Sequence, residues 1–162
     1  MALRKLRLVG DEILQKTSKP LGKIDDKTRQ LLDDMLETMR HQNGVGLAAV
    51  QIGVLKRILV IDAGEENGGL IEMVNPQITY FEGTQEGWEG CLSVPGHSGL
   101  VERPLVTVVK AQDRFGQDYE LRAEGTLSVI INHEMDHLNG LLYTEKASEM
   151  RLHEDDDEED EG

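Results

Sequence analysis

The sequence predicts an α+β domain in which mixed or antiparallel β-sheets wrap a central buried helix. Three observations carry that expectation. An amphipathic helical pattern lies near the amino end, and a series of short β-rich runs fills the middle. Near the carboxyl end, a helical stretch that is apolar nearly all round bears His133-Glu134-Met135-Asp136-His137. At 162 residues the chain has the length of one ordinary domain, enough to bury a core without staples. It carries no internal repeat and no dividing linker.

Taken in order, Asp11 is placed to cap a short helix over Glu12 to Lys16, which Pro20 and Gly22 end. Asp25 or Asp26 opens a longer helix in which Leu31, Leu32, Met35, Leu36 and Met39 form one apolar stripe, the mark of a core face. Asn43 and Gly44 stop it. Arg57 to Asp62 reads as a buried strand and Gly64 to Gly69 as a polar turn. Leu70 to Asn75, Ile78 to Glu82, Leu105 to Ala111 and Tyr119 to Ala123 are further short strands, the last two joined by a turn over Asp113-Arg114-Phe115-Gly116. The interval 84–104, rich in Gly and Pro, is expected to be irregular. The helix from Leu127 to Leu138 follows, closed by Asn139 and Gly140. Residues 1–148 form the expected catalytic domain and 149–162 an acidic, disordered tail, because the eight consecutive acids from Glu154 to Glu161 repel one another and have nothing apolar to bury.

The formal net charge is −14, of which that run of acids supplies eight and the rest of the chain −6. Phosphate binding needs clustered Lys and Arg, so direct nucleic-acid binding is excluded. No apolar run of about 18 residues is present, and the amino terminus lacks a signal peptide's apolar core, so a cytoplasmic protein without membrane attachment is expected. Cys91 is the single cysteine, which rules out an intramolecular disulfide.

Three stretches carry chemistry. In the first, two histidines four apart on a helix lie about 40° apart around the axis and about 6 Å along it, so both can reach one ion. Glu134 projects about 60° from His137 on the same side, where it can address a water without ligating. On a surface helix such a pair is often accidental, but here burial demands partners for these polar groups. Asp136 is given a structural role, since a carboxylate ligand would close the open position. The second stretch, Glu89-Gly90-Cys91-Leu92-Ser93, offers a thiolate that completes three ligands with His133 and His137 and leaves a fourth position open. Taken alone, Cys91 reads first as a small buried side chain. The third, Gly44 through Gln51, superficially matches a dinucleotide fingerprint, but a helix precedes it where a strand is required. Its glycines are read instead as letting another backbone approach, with Gln51 offering an amide donor.

Together Gly44 through Gln51, Glu89 through Ser93 and His133 through Leu138, in that order, closely resemble the three signatures of peptide deformylase. The similarity runs from about residue 3 to 145 and includes Lys56 to Asp62, Asn75-Pro76 and Asn139-Gly140. The resemblance implies removal of the N-formyl group from formyl-Met nascent peptides, with one divalent transition metal per chain on Cys91, His133 and His137. It favours Fe(II), with Zn(II), Ni(II) or Co(II) as substitutes. Glu134 is then the general base, and the Gln51 amide and Leu92 backbone N–H are the oxyanion donors. Substrate would pair with Val45 and Gly46 on one side and the loop at Gly90 on the other, its methionine in a pocket of Val45, Val129, Ile130 and the His133 ring.

Glu89 and Arg103 are expected to pair and hold the Cys91 loop, with a plain surface salt bridge as the alternative, and Asn132, where many members have Gln, to support the ligands. Gly96-His97-Ser98-Gly99 stands where some members carry a substrate-binding arginine, and His97 is read as an exposed loop residue. The acidic end argues against the docking helix of some bacterial members, leaving at most transient ribosome proximity. The rival readings are an H-E-x-x-H endopeptidase whose third ligand comes from the acids from Glu145 onward, and a catalytically inactive metal- or peptide-binding relative.

Overall fold

The structure is a computed structural model that describes residues 2–153. Helix α1 (Asp26–His41) is followed by strands β1 (Gly46–Ala48), β2 (Ile58–Asp62), β3 (Leu70–Glu82), β4 (Gln85–Cys91), β5 (Val94–Arg103), β6 (Val106–Gln112) and β7 (Asp118–Glu124). Helix α2 (Thr126–Leu138) and strand β8 (Glu149–Leu152) complete it. Two antiparallel sheets result, β1-β2-β3-β6-β7 and β4-β5-β8. The expected α+β architecture is therefore present, with antiparallel ladders throughout both sheets.

Alternation along β2 shows how the core is divided. Ile58 and Val60 face Leu32, Met35 and Met39 of α1, whereas Leu59 and Ile61 face Ile131, Met135 and Leu138 of α2. A strand buried on both faces reads as a continuous apolar run, as Ile58-Leu59-Val60-Ile61 does. The stripe expected on α1 is its core face, and Asp25 caps it through a reciprocal bond with Thr28. Asn43 ends it in the left-handed region, at φ 58°. The first short helix is a 3-10 turn, Glu12–Gln15, capped by Asp11 as expected.

Three expectations need correction. The interval 84–104 is a regular hairpin, β4 and β5, joined by a turn at Leu92-Ser93. Its glycines answer packing: a Cβ on Gly99 would stand 2.8 Å from Tyr143, Ala147 and Met150. The two strands expected within 70–82 are one, since Pro76 falls at a register shift between Val74 and Gln77 where no ladder donor is needed. The tail boundary also moves. Glu149–Leu152 pairs with β5 and belongs to the fold, while the acids from Glu154 to Glu161 lie outside the described residues. The strand β1, in a segment read only as a close approach, was not anticipated.

The carboxyl end of α2 rests on the first 3-10 turn at Gly140. Its φ is +77°, and a Cβ there would lie 2.5 Å from the Gln15 carbonyl oxygen. Gly140→Ala is expected to destabilise the protein by about 1–3 kcal/mol through backbone strain, read as a lower urea midpoint at unchanged m-value.

Candidate metal centre and cleft

The site forms where α2 passes between the two sheets. Helical spacing puts the His133 and His137 rings edge to face, with centroids 5.1 Å apart. From the opposite side the last residue of β4 brings in its thiol, and Cys91 Sγ lies 3.3 Å from His137 Nε2. Ligand atoms of Cys91, His133 and His137 all fall within 4.8 Å of one another. Two ligands in tetrahedral coordination at ordinary bond lengths stand about 3.5 Å apart, so the donor set fits a transition ion.

The two imidazoles differ in protonation. Burial and the charge on His133 push His137 down to about 3, so it is a neutral donor. Burial works against charge on His133 as well, but hydrogen bonds to Cys91 and Glu89 overcome it and lift it to about 10. A cation bound by the Cys91 thiolate would displace the proton from His133 Nε2, so ligation there releases a proton while Nδ1–H stays on Glu89. Burial raises Glu134 to about 7, and its Oε1 has no partner among the described residues.

Behind the ligands lies a buried ionic chain. Arg103 donates twice to Glu89, at 2.8 Å each, and to Asp136 at 2.6 Å. Glu89 Oε1 lies 2.9 Å from His133 Nδ1, which leaves Nε2 of that ring for the cleft. Lys146 Nζ donates to Asp136 at 3.0 Å. The expected pairing of Glu89 with Arg103 is present, and Asp136 is engaged by cations rather than with the ligand cluster. Removing one member of such a network leaves an uncompensated buried charge, which costs about 3–5 kcal/mol.

Gln51 sits in a 3-10 turn, Ala49–Ile52. Its Oε1 accepts from the Ala48 backbone at 2.9 Å, which aims Nε2 toward Ser93 Oγ at 3.1 Å and Cys91 Sγ at 3.6 Å. A cleft of about 480 Å³ opens beside these groups. Val45, Gly46, Gly90, Leu92, Val129 and Ile130 all line it, so the expected substrate contacts are brought together. β1 and β4 are the edge strands of their sheets and face each other across it. The Val45 carbonyl is occupied by the Asp62 N–H at 2.9 Å, so by antiparallel alternation the Gly46 N–H and C=O point to the open edge.

Other expectations land elsewhere. Asn132 donates to Thr107 Oγ1 and the Ser128 carbonyl, and no hydrogen bond joins it to the ligand cluster among the described residues. The glycines of the first signature make room for side chains, not for another backbone. A Cβ on Gly44 would meet Leu92 Cδ1 at 2.7 Å, and one on Gly46 would meet Glu134 Oε2 at 2.6 Å. His97 is exposed as expected, but in a strand, opposite Leu152. Glu145 caps its own turn through the Leu142 N–H and is not in the ligand cluster.

Sequence reading missed Ser93, Tyr143 and Lys146. Ser93 stands inside the quoted signature and was findable there. Tyr143, stacked on His133 at 5.9 Å, and Lys146 carry no local signal.

Residues 3–153 match the family model for polypeptide deformylase. This chain belongs to that family. It is 56% identical over 147 residues to a peptide deformylase of Caldicellulosiruptor bescii, covering 91% of this chain and 87% of the relative. The crystal structure of a peptide deformylase from Legionella pneumophila superposes with a TM-score of 0.87 at 44% identity, over 91% of this chain and 87% of that one. The Thermotoga maritima peptide deformylase gives 0.88 at 37% identity, over 92% and 100%. Deformylase membership joins all three signatures into one cleft, and it accounts for the Cys91 stretch that an endopeptidase reading leaves unexplained.

The contact between Gly46 and Glu134 gives a direct test. The carboxylate can swing away from an added methyl, so Gly46→Ala is expected to cost little stability but to displace the Glu134 carboxylate. Deformylation should fall about 10²-fold, with metal content per chain unchanged by elemental analysis.

Proposed function

We propose that this cleft removes the N-formyl group from the amino-terminal formylmethionine of newly made proteins and releases formate. The observation that supports it most is the convergence of the Cys91, His133 and His137 donors beside a buried, unpartnered Glu134 carboxylate. When bound, a divalent transition metal ion supplies Lewis acidity that brings the ionisation of water near neutral pH.

The chain's own groups do the rest. Glu134, which burial lifts to about 7, close to neutral pH, accepts the proton of the attacking water and later hands it to the leaving amine, a role worth about 10²–10⁴ in rate. The Gln51 amide and the Leu92 N–H donate to the formyl oxygen as it gains negative charge, each such donor being worth about 10²–10³ in turnover. The peptide lies extended between the Gly46 edge of β1 and Gly90 of β4, as an added strand. Its methionine fills the apolar slot of Val45, Val129, Ile130 and the His133 ring. Glu89 fixes the His133 ring through Nδ1, so that Nε2 remains the ligand.

The resident ion is proposed to be Fe(II), which makes the enzyme sensitive to air. The working place is the cytoplasm in transient proximity to the ribosome, where formylated chains emerge. No described helix is long and apolar enough to cross a membrane, and the acidic charge disfavours direct contact with nucleic acid.

Two measurements test this reading. Formate should be released from formyl-Met-Ala-Ser, with the acetylated peptide and an internal peptide bond left intact; faster cleavage of the internal bond would sink it. Glu134→Ala should keep its metal while turnover falls at least about 10²-fold, and a wild type without turnover would favour an inactive relative. For the ion, anaerobically purified enzyme should contain iron and lose activity in air; full activity with zinc alone, indifferent to air, would overturn the assignment.

A further inference from the structure

The outer face of the β4-β5-β8 sheet reaches the mouth of the cleft at Trp88, which lines it beside Gly90. Arg151 of β8 lies over that indole, with its guanidinium carbon 3.7 Å from the ring centroid. That is van der Waals contact, so the guanidinium plane is held against the ring and its N–H groups point outward from the edge of the stack.

The register puts this cation toward the hairpin end of the sheet, although β8 is the edge strand away from β4 and Arg151 reaches the cleft mouth only through Trp88. Ser98 pairs with Arg151 one step closer to the Cys91 hairpin than the row of Glu89, Gly99 and Met150. The glutamates sharing its face, Glu86, Glu102 and Glu149, lie at or beyond the Trp88 row, away from that hairpin. Arg151 makes no ion pair among the described residues.

We propose that Arg151, held by Trp88, is a specificity-determining residue that binds a carboxylate of the incoming peptide beyond its formylmethionine. This rests on the deformylase reading of the cleft. An extended peptide leaving the Gly90 edge runs out past Trp88, where an acidic side chain or a free carboxyl terminus meets a planar donor already fixed in place. Stacking removes the rotamer freedom that an exposed arginine otherwise loses on binding. The chain's net charge of −14 repels polyanions, so one guanidinium suits a single carboxylate.

The test compares two matched pairs at low salt: formyl-Met-Ala-Ser as free acid and as amide, and the amides of formyl-Met-Ala-Asp and formyl-Met-Ala-Asn. Wild-type enzyme should show a lower KM for each carboxylate member, by up to about fivefold, the size of an exposed ion pair. Salt should erase the difference, and kcat should be similar within each pair. In Arg151→Gln both ratios should fall to about one, and Arg151→Lys should keep part of them because the charge remains. Melting curves and metal content of the variants report folding separately. Equal KM values in the wild type, or ratios that survive Arg151→Gln, would overturn the proposal. So would a preference that appears only after residues 154–162 are removed, which would give Arg151 to the chain's own acids. No turnover of any of the four peptides would instead overturn the deformylase reading itself.

Discussion

Arg103 is shut inside the protein with its guanidinium divided between Glu89 and Asp136. Burial opposes its charge, and the two carboxylates more than restore it, so that it is held above its ordinary value. In return, burial works to raise Glu89, but the bonds from Arg103 and His133 bring its carboxyl below the usual range. Each charge is tolerable only because the others are present. The chain begins in the hairpin strand that ends at Cys91, crosses to α2 through Asp136, and returns to His133 through Glu89. It therefore ties the Cys91 strand, helix α2 and the orientation of the His133 ring into a single unit.

Rigidity at the back of the site contrasts with openness at the front. The floor of the cleft is made of helix α2 and two hairpin or turn segments, whereas its walls are strand edges whose backbone groups face outward. The Ala48 N–H on the β1 edge is answered by Gln51 Oε1. That bond ends the open edge and fixes the amide that faces Cys91, so one hydrogen bond both limits strand addition and aims a donor. Gly44 and Gly46 let Leu92 and Glu134 close against this edge. The backbone and the Glu134 carboxylate are thus in contact, which leaves no room for a side chain between them.

Legibility differed by the range of the interactions involved. The α1 stripe, the continuous apolar run of β2 and the two-histidine spacing on α2 were readable because each is set by neighbours a few residues apart. The pairing of Glu89 with Arg103 could be anticipated from opposite charges close in sequence on either side of the Cys91 stretch. The hairpin itself could not. Gly87, Gly90, Gly96 and Gly99 look like loop punctuation, yet Gly99 is there because Tyr143 and Met150, more than forty positions away, press on it. Lys146 and Tyr143 were invisible for the same reason, and Asn132, adjacent to a ligand in sequence, turned out to serve Thr107 and Ser128.

The sequence alone determined the kind of chemistry available: two imidazoles and a carboxylate at helical spacing, one thiol, one amide, and a length that allows a single core. Those follow from residue type and short-range geometry. Only the tertiary structure decided that Cys91 stands 3.3 Å from His137 across two elements, that β1 and β4 confront each other as open edges, and that Arg151 reaches Trp88. Such contacts depend on how two sheets close around one helix, and the energy that selects that closure is spread over the whole core rather than written in any one stretch.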